Sequence, residues 1–560
     1  MTKTQKTSII FFLLIALLCS CCSSCDSTDD PAVSANNSLE FQVIFFDIEN
    51  SSDGSVHYYG TNQNEPYQKK SITPADCYMI KSGNVEILVD AGFQLNSNLS
   101  YIANIYKENV IKKIEKFCTD GVLDYLIVTH GDYDHIIGLA IDGGLLDYFY
   151  NSDKKIGKII DFDSDLVVAL SDPEKDIIKG KGLFFDYKTN IEKYRQKRDK
   201  LLEKGTRHIP AAEFFKGKDF LKDNTLVNAM PDAYLKNYYR TDKEGNLTDT
   251  IDASLINNFY YFSKDIVYHS SCDDDTKLPK EDNIPFNNTY KNVDLSFGSL
   301  EQEKDRYYFS IPMGKNVELR ILYNWFYDHI YNRDFDEQNR NNISVCFSVV
   351  SGNNKFVSFG DLGFGESGII RYYKDTNILK NVSCFKASHH GSTGPETEKT
   401  YTPRENTEEL FKLMQPDVVI IPGVAQINRK ILDDNGMVQG SQYQQFYDGL
   451  IRTAVAKKRF FDNVKAGNPK TKIYCTQIVK HLDKDGLWLM SAPFYGDIYV
   501  TINPFVVNVD CSYKGEVEGY VSGYSDKSKH FKFSNVKNGK MLSYQETEFW
   551  KAIFKNGGKI

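Results

Sequence analysis

The stretch that decides the fold is VTHGDYDHIIG, residues 128–138, in which two histidines and two aspartates fall within six positions. The apolar run LDYLIVT before it predicts a strand, and a helix is predicted to begin near His135. Loops that follow the carboxyl ends of strands are where α/β folds place their chemistry. Imidazole and carboxylate groups at this density indicate metal ligands. Four such ligands are more than one ion needs and too few for two ions. The candidate ligands are His130, Asp132, Asp134 and His135.

Two stretches farther along the chain can supply the missing ligands. Asp361 follows the strand candidate KFVSFG, in which Gly360 allows a close turn of the backbone. His389 and His390 follow CFKAS, and the turn ending at Ser392 offers backbone N–H groups to an anion. Taken singly, Asp361 is an ordinary turn residue and a histidine pair is often on the surface. Three such stretches, each behind an apolar strand, predict one shared metal site.

The rest of the chain alternates strand and helix patterns. ADCYMIKSG and NVEILVDAG predict a hairpin, residues 97–117 a helix, and residues 341–363 a second hairpin that turns at 352–354. The basic stretch 190–208 carries interleaved acids, which predicts a helix with a solvated charged face. Residues 143–340 are less regular and are predicted to contain an insertion or lid. Residues 485–560 are predicted to form a small β-rich appendage.

The amino terminus has the pattern of an export signal. Two lysines precede an apolar stretch, residues 9–18, that is too short to span a bilayer comfortably. The segment LCSC that follows resembles a bacterial lipobox, with Cys21 as the residue that is lipidated after cleavage. Residues 1–20 are therefore predicted to be a lipoprotein signal peptide and residues 21–38 a flexible tether. The alternative is an ordinary cysteine-rich signal peptide.

Composition excludes some classes of partner. The 560 residues carry a net charge of −8, which argues against a general nucleic-acid binder. The seven cysteines after residue 38 are scattered and lack CxxC pairs, so they are predicted to be mostly buried thiols rather than a disulfide framework or a zinc knuckle. No second segment is long and apolar enough to cross a membrane. The sequence predicts a membrane association through the lipid anchor only, and it identifies no protein partner.

Read in order, HGDYDH, NNISVCF, SFGDLG and SHHGS resemble the motifs of the metallo-β-lactamase superfamily. The similarity is greatest to the branch of the ComEC competence proteins and the phosphorylcholine esterases, and it covers residues 41–482 with a departure in the middle. The resemblance implies an α/β fold, the αββα metallo-β-lactamase sandwich, over residues 39–484, with the long insertion at 143–340 and the C-terminal appendage at 485–560.

The resemblance also implies the roles of the candidate residues. His130, Asp132, Asp134 and His135 bind metal, Asp361 bridges two divalent ions, and one of His389 and His390 completes the second ion while the other faces the substrate. Asp132 and the residues Asn342 and Ser344 stand where relatives with more ligands have histidine. The site is therefore richer in oxygen, which makes manganese a rival to zinc. Asp134, His390 and Ser392 are the predicted catalytic residues.

The expected function is hydrolysis of a phosphodiester by water that the two ions activate, in a protein that is lipid-anchored outside the cytoplasm. The substrate is open among nucleic acid, glycan and small molecule. A lactonase or β-lactamase acting on C–O or C–N bonds and a non-catalytic metal-binding surface scaffold are the alternatives. The expected location is the cell envelope, on the outer membrane or the cell surface, with the periplasm as the second choice.

Overall fold

The computed structural model describes residues 39–48, 75–93, 99–165, 167, 187–215, 239–241, 247–251, 293–314, 316–324, 340–363, 365–392, 405–424, 458–482, 489–520, 530–548 and 550–551. The predicted signal peptide, the tether and Cys21 lie outside these residues. Among the described residues, no helix is both long enough and apolar enough to span a membrane. Six cysteines in this part of the chain are buried thiols, as predicted.

The strands fall into two large sheets and three small two-stranded ones. They are β1 (Phe41–Phe45), β2 (Tyr78–Ser82), β3 (Val85–Val89), β4 (Val122–Val128), β5 (Lys155–Asp161), β6 (Arg207–Pro210), β7 (Tyr239–Thr241), β8 (Leu247–Ile251), β9 (Ser299–Glu303), β10 (Arg306–Pro312), β11 (Val317–Leu322), β12 (Phe347–Ser351), β13 (Asn354–Ser358), β14 (Cys384–Lys386), β15 (Val418–Val424), β16 (Lys472–Leu482), β17 (Leu489–Pro493), β18 (Ile498–Ile502), β19 (Val507–Cys511), β20 (Glu516–Tyr520), β21 (His530–Ser534), β22 (Val536–Lys537) and β23 (Lys540–Met541).

Helices connect many of these strands. A first helix runs from α1 (Leu99–Ile105) through a π-helical segment (Tyr106–Val110) into α2 (Ile111–Phe117), close to the predicted 97–117. The others are α3 (Tyr133–Ala140), α4 (Leu145–Asn151), α5 (Tyr187–Glu203), α6 (Gly365–Tyr373), α7 (Glu408–Met414) and α8 (Lys458–Gly467), with 3-10 turns at Ala211–Phe215, Arg340–Ile343, Ser388–Gly391 and Tyr544–Glu546.

One sheet has eight strands in the order β19-β18-β1-β2-β3-β4-β5-β6, and the other has nine in the order β17-β16-β15-β14-β13-β12-β11-β10-β9. Strands β3 to β6 are parallel neighbours, as are β13 to β16, so each sheet has a central set of buried apolar strands. The predicted hairpins are present as β2–β3 and β12–β13. This mixed α/β architecture, with large sheets and a β-rich C-terminal region, confirms the predicted fold class.

The two sheets are in contact through aromatic side chains. Phe45 of β1 stacks on Tyr78 of β2 with ring centroids 5.0 Å apart, and Phe356 of β13 meets both rings at an angle. The Tyr78 hydroxyl donates to Ser358 Oγ of the opposite sheet over 2.7 Å. These residues are buried, and such aromatic pairs stabilise a core beyond the area that they remove from water. The core between the sheets is thus fixed near the carboxyl ends of the central strands.

The two large sheets extend into the segment predicted to contain the insertion and into the predicted appendage. Within the predicted insertion, β5 and β6 continue the eight-stranded sheet and β9 to β11 the nine-stranded sheet. Of the strands described between 143 and 340, only the β7–β8 pair stands apart from both large sheets. Within the predicted appendage, β17 pairs with β16 and β18 pairs with β1, so the sandwich extends past 485 to Cys511. Short alternating strands carry no sequence mark of which sheet they join, because long-range pairing decides it.

The charged helix α5 also differs from its prediction. Its face at Lys197 and Arg198 is buried and forms ion pairs rather than being fully solvated. Lys197 Nζ lies 2.9 Å from Asp142 and 2.6 Å from Asp147, and Arg198 lies 2.9 Å from Asp165. Acidic residues far away in sequence meet these bases, which a pattern within the helix alone does not reveal.

Candidate metal centre

The loop after β4 is held by the end of β3. The backbone N–H of Thr129 donates to Asp90 Oδ1 over 2.7 Å and its hydroxyl to Asp90 Oδ2 over 2.6 Å. The same Oδ2 lies 2.8 Å from His135 Nδ1. All three residues are fully buried. A carboxylate on Nδ1 fixes the orientation of the imidazole and directs Nε2 away from Asp90, as outer carboxylates do for metal-binding histidines.

Gly92 allows the two loops to touch. The N–H of Asp76 donates to the Asp134 carbonyl over 3.0 Å, and that of Ala91 to the His135 carbonyl over 2.8 Å. A Cβ atom on residue 92 would overlap the Asp134 carbonyl. The backbone of the HGDYDH loop is therefore packed against the VDAG segment with no room for a side chain.

Asp361 comes to this place from the second sheet. The Val345 N–H donates to the Thr129 carbonyl over 2.9 Å, and the Asp361 N–H to Ser344 Oγ over 3.2 Å. Gly360 has a φ of +57°, and a Cβ atom there would crowd both Ser344 and Thr129. The glycine thus serves both the turn and the close approach of the two sheets, as predicted from KFVSFG.

The twin histidines lie on an unusual turn after β14. His389 and His390 have φ values of 45° and 49°, the left-handed region that non-glycine residues seldom adopt. The turn directs His390 inward, with 4% of its side chain exposed, whereas 39% of the His389 side chain is exposed. His389 Nδ1 lies 3.3 Å from the buried Glu405 carboxylate. The two neighbours therefore face different surroundings.

Four predicted ligands converge. One donor atom each from Asp134, His135, Asp361 and His390 lies within 4.8 Å of the others. Asp361 Oδ2 is 3.1 Å from His135 Nε2 and 3.4 Å from His390 Nε2, which is itself 3.3 Å from Asp134 Oδ2. The buried Nε2 atoms of both histidines nevertheless make no hydrogen bond with suitable geometry among the described residues. Nitrogens and oxygens that face a common point in this way fit a divalent cation that accepts imidazole and carboxylate ligands.

His130 and Asp132 lie beside this cluster. The His130 ring centroid is 4.0 Å from that of His135, and its Nε2 is 3.7 Å from Asp132 Oδ2. His130 is fully buried and its Nε2 also makes no hydrogen bond within the described part of the chain. Asn342 is buried on the 3-10 turn Arg340–Ile343 rather than on a strand. These residues offer two donors to a second ion.

A second set of possible ligands at the site includes Asp76, whose negative charge is already paired with a buried lysine. Asp76, Asp90 and His135 also lie close enough to share an ion. The buried Lys386 ammonium, however, pairs with Asp76 and lies 3.1 Å from Asp361 Oδ1, and it donates to the Gly360 carbonyl over 2.9 Å. The pKa of Lys386 is raised because these carboxylates outweigh its burial. A positive charge is therefore built into this side of the centre.

The carboxylates also set the protonation of the ligands. Burial alone would lower the pKa of His390, but Asp361, Asp76 and the contact with Asp134 raise it to about 10. Burial would raise the pKa of Asp134, but His390 and the charge of His135 lower it to about 2. Asp361 likewise has a lowered pKa, because His135 and His390 outweigh burial. A cation that binds here displaces protons from the imidazoles, so its affinity rises with pH.

The predicted site residues thus separate into three groups. Asp134, His135, Asp361 and His390 share one cluster, His130 and Asp132 adjoin it, and the half-buried His389 and Ser392 lie on the turn that carries His390. The sequence reading missed Asp76, Asp90 and Lys386. A lysine inside the apolar strand CFKAS was the available signal, since a buried lysine requires a buried acid.

Comparison with known proteins agrees with this geometry. Residues 72–141, which include Asp76, Asp90 and the HGDYDH loop, match the family described as the Metallo-beta-lactamase superfamily. This part of the chain is similar to a metallo-β-lactamase superfamily domain. Among solved structures, the metallo-beta-lactamase fold protein YhfI from Bacillus subtilis is similar over 78% of this chain and 96% of its own, at 9% identity and a TM-score of 0.29. A similarity at that score adds no weight to the assignment. No curated protein matches the chain.

The superfamily match over residues 72–141 and the cluster of possible metal ligands support a metal-dependent hydrolase. Of the four convergent donors, Asp134 and His135 lie within the matched residues, and Asp361 and His390 lie outside them.

Proposed function

We propose that the metallo-β-lactamase domain is a phosphodiesterase whose catalytic cation is held by Asp134, His135, Asp361 and His390. The observation that carries the proposal is the convergence of these four donors within 4.8 Å. A divalent cation bound there would stabilise negative charge on a phosphoryl oxygen and lower the pKa of nearby water. The acidic character of the site favours zinc or manganese, and the SHHGS loop favours phosphodiesters through its resemblance to the ComEC branch.

A second cation is proposed beside the first, with His130 and Asp132 as its ligands and with Asp361 or Asp134 shared. The unpartnered Nε2 of buried His130 supports it. Oδ1 of Asp361 faces the Lys386 ammonium, and Oδ2 faces the histidines of the first site. Because Asp361 has no further oxygen to direct at a second cation, we expect the first cation to bind more tightly than the second.

Three side chains are proposed to act on the substrate. Asp134 is ionised and its side chain is 30% exposed, so it can orient the attacking water as well as bind metal. We assign His390 to the metal and His389 to the substrate side, because His389 is the exposed member of the pair. Ser392, on the same turn, is proposed to hold a phosphoryl oxygen, and its backbone is fixed by a 2.8 Å bond from its N–H to the His389 carbonyl.

The test is hydrolysis of bis-p-nitrophenyl phosphate by protein loaded with zinc or manganese. We expect turnover that EDTA abolishes, and a loss of more than about 100-fold in Asp134→Ala. Nitrocefin, a β-lactam substrate, serves as the parallel assay. Turnover of nitrocefin with no cleavage of any phosphodiester would replace the proposed reaction by C–N hydrolysis.

We also propose that Cys21 carries a lipid and anchors the enzyme in the cell envelope, on the outer membrane or cell surface. The lipobox-like segment LCSC supports this proposal. Labelling of cells with radioactive palmitate should mark the protein, and Cys21→Ala should remove the label while Cys22→Ala keeps it. Labelling that survives Cys21→Ala would refute the assignment.

A further inference from the structure

The turn that carries the twin histidines needs an external support. Two consecutive non-glycine residues in the left-handed region, His389 and His390, are strained and persist only where their surroundings impose this conformation. Glycine follows at position 391, but the strain lies on the histidines themselves. The question is which groups hold the turn in this shape.

Asn406 spans the turn with its side chain. Its Oδ1 accepts from the Ser388 N–H over 3.1 Å, and its Nδ2 donates to the carbonyls of Ser388 over 2.7 Å and Ser392 over 2.6 Å. These three hydrogen bonds hold the backbone at Ser388, directly before the histidines, and at Ser392, two residues after them. Asn406 is fully buried and itself adopts a φ of 51°, which asparagine tolerates better than most residues.

Glu366 holds Asn406 in turn. Its carboxylate accepts from the N–H of Asn406 over 2.7 Å and from the N–H and hydroxyl of Thr407 over 2.9 and 2.6 Å. Glu366 is fully buried, and its own N–H donates to the Gly363 carbonyl over 3.1 Å, two residues after Asp361. The network therefore joins the backbone around Asp361 to the backbone around His390, two stretches that each supply a ligand.

We infer that Asn406, supported by Glu366, is the positioning residue that sets His390 against Asp134 and Asp361. The inference rests on the proposed metal site, but it assigns a role to residues that touch neither the cation nor the substrate. Without the hydrogen bonds from the Asn406 side chain, the turn can relax from its left-handed conformation, and His390 then turns away from the other donors. Loss of a group that orients a ligand typically weakens metal binding 10- to 100-fold.

The test is the affinity of purified full-length protein for Mn²⁺ or Zn²⁺, measured by calorimetry. Asn406→Gly is the chosen variant, since glycine accepts the positive φ and removes only the side chain. We expect a folded protein with a 10- to 100-fold weaker affinity. Asn406→Asp keeps the acceptor and loses the two donors, so its metal affinity should fall by the same factor as in Asn406→Gly or by a smaller one. If Asn406→Gly fails to fold, the metal affinity of Asn406→Asp decides the question.

Asn535 provides the matched control. It is equally buried, its Nδ2 donates to the carbonyls of Phe494 and Tyr513 over 2.6 and 2.9 Å, and its Oδ1 accepts from the Gly515 N–H over 2.8 Å. Asn535→Gly should lower the free energy of unfolding without changing the metal affinity. A folded Asn406→Gly or Asn406→Asp variant with wild-type affinity would overturn the inference. Wild-type protein that binds metal but cleaves no phosphodiester would refute the proposed reaction alone, and wild-type protein that binds no metal would refute both.

Discussion

Replacing Lys386 with methionine would remove a buried ammonium group from between two buried carboxylates. Lys386 and Asp76 are both fully buried, and Asp361 is 2% exposed. Breaking a buried ion pair by removing one partner costs about 3–5 kcal/mol, because the remaining buried charge loses its nearest counter-charge. Methionine fills a similar volume, so packing adds little to this figure. We expect metal-free Lys386→Met to lose about 3–5 kcal/mol of unfolding free energy at neutral pH.

A bound cation should offset part of this loss. The ammonium lies 3.1 Å from Asp361 Oδ1, on the carboxylate whose Oδ2 faces the cluster, so its removal takes away a charge that repels the cation. The gain in stability on adding Mn²⁺ should therefore be larger for Lys386→Met than for the wild type. Urea unfolding with EDTA and with Mn²⁺ measures both quantities.

Lys355→Met is the control for this experiment. Lys355 is also buried, but its ammonium donates to the carbonyls of Asn377 and Ile378, and burial lowers its pKa to about 8. Its loss should cost only about 1–2 kcal/mol. If metal-free Lys386→Met lost no more stability than Lys355→Met, the role of Lys386 as a counter-charge would be wrong.

The remaining predictions concern pH and packing. With a folded pKa of about 10 against roughly 6.5 in the unfolded chain, His390 contributes stability to metal-free protein that is complete below about pH 6.5 and lost as the pH rises through about 10. Urea unfolding in EDTA across this range should show the loss, and His390→Gln should reduce it; identical profiles would contradict the raised pKa. Gly92→Ala should lower the unfolding free energy by about 3 kcal/mol or more or prevent folding, because its Cβ would overlap the Asp134 carbonyl. Circular dichroism during thermal unfolding would detect this, and Gly83→Ala, which has a positive φ but open space around it, separates the overlap from backbone strain.

Local sequence patterns predicted the parts of the fold that local forces determine. The strand before Thr129 is a long apolar run, the helical segments over 99–117 lie close to the predicted 97–117, and Gly352 at the β12–β13 turn is a glycine with positive φ. Sheet membership was not predictable in the same way. Within residues 489–511, β17 joins the nine-stranded sheet, whereas β18 and β19 join the eight-stranded sheet. The pairing of Phe41 with Ile502 joins strands that are separated by most of the chain.

In the site, too, the sequence predicted some residues and not others. Direct donor groups could be found because ligand chemistry restricts residue types, as in HGDYDH and SHHGS. The supporting groups could not, because a buried Asp90, Lys386 or Asn406 acts through a partner that only the folded chain identifies. The separate surroundings of His389 and His390 depend on backbone dihedral angles near +45°, for which the pair His-His carries no signal.

The most direct test of the account is the metal content of the purified protein, measured by inductively coupled plasma mass spectrometry. We expect at least one equivalent of zinc or manganese per chain, and its loss in a folded Asp361→Ala variant, because Asp361 contacts both His135 and His390 in the cluster. Wild-type protein without bound metal after supplementation, or folded Asp361→Ala that retains the full metal content, would contradict a cation bound among these four side chains.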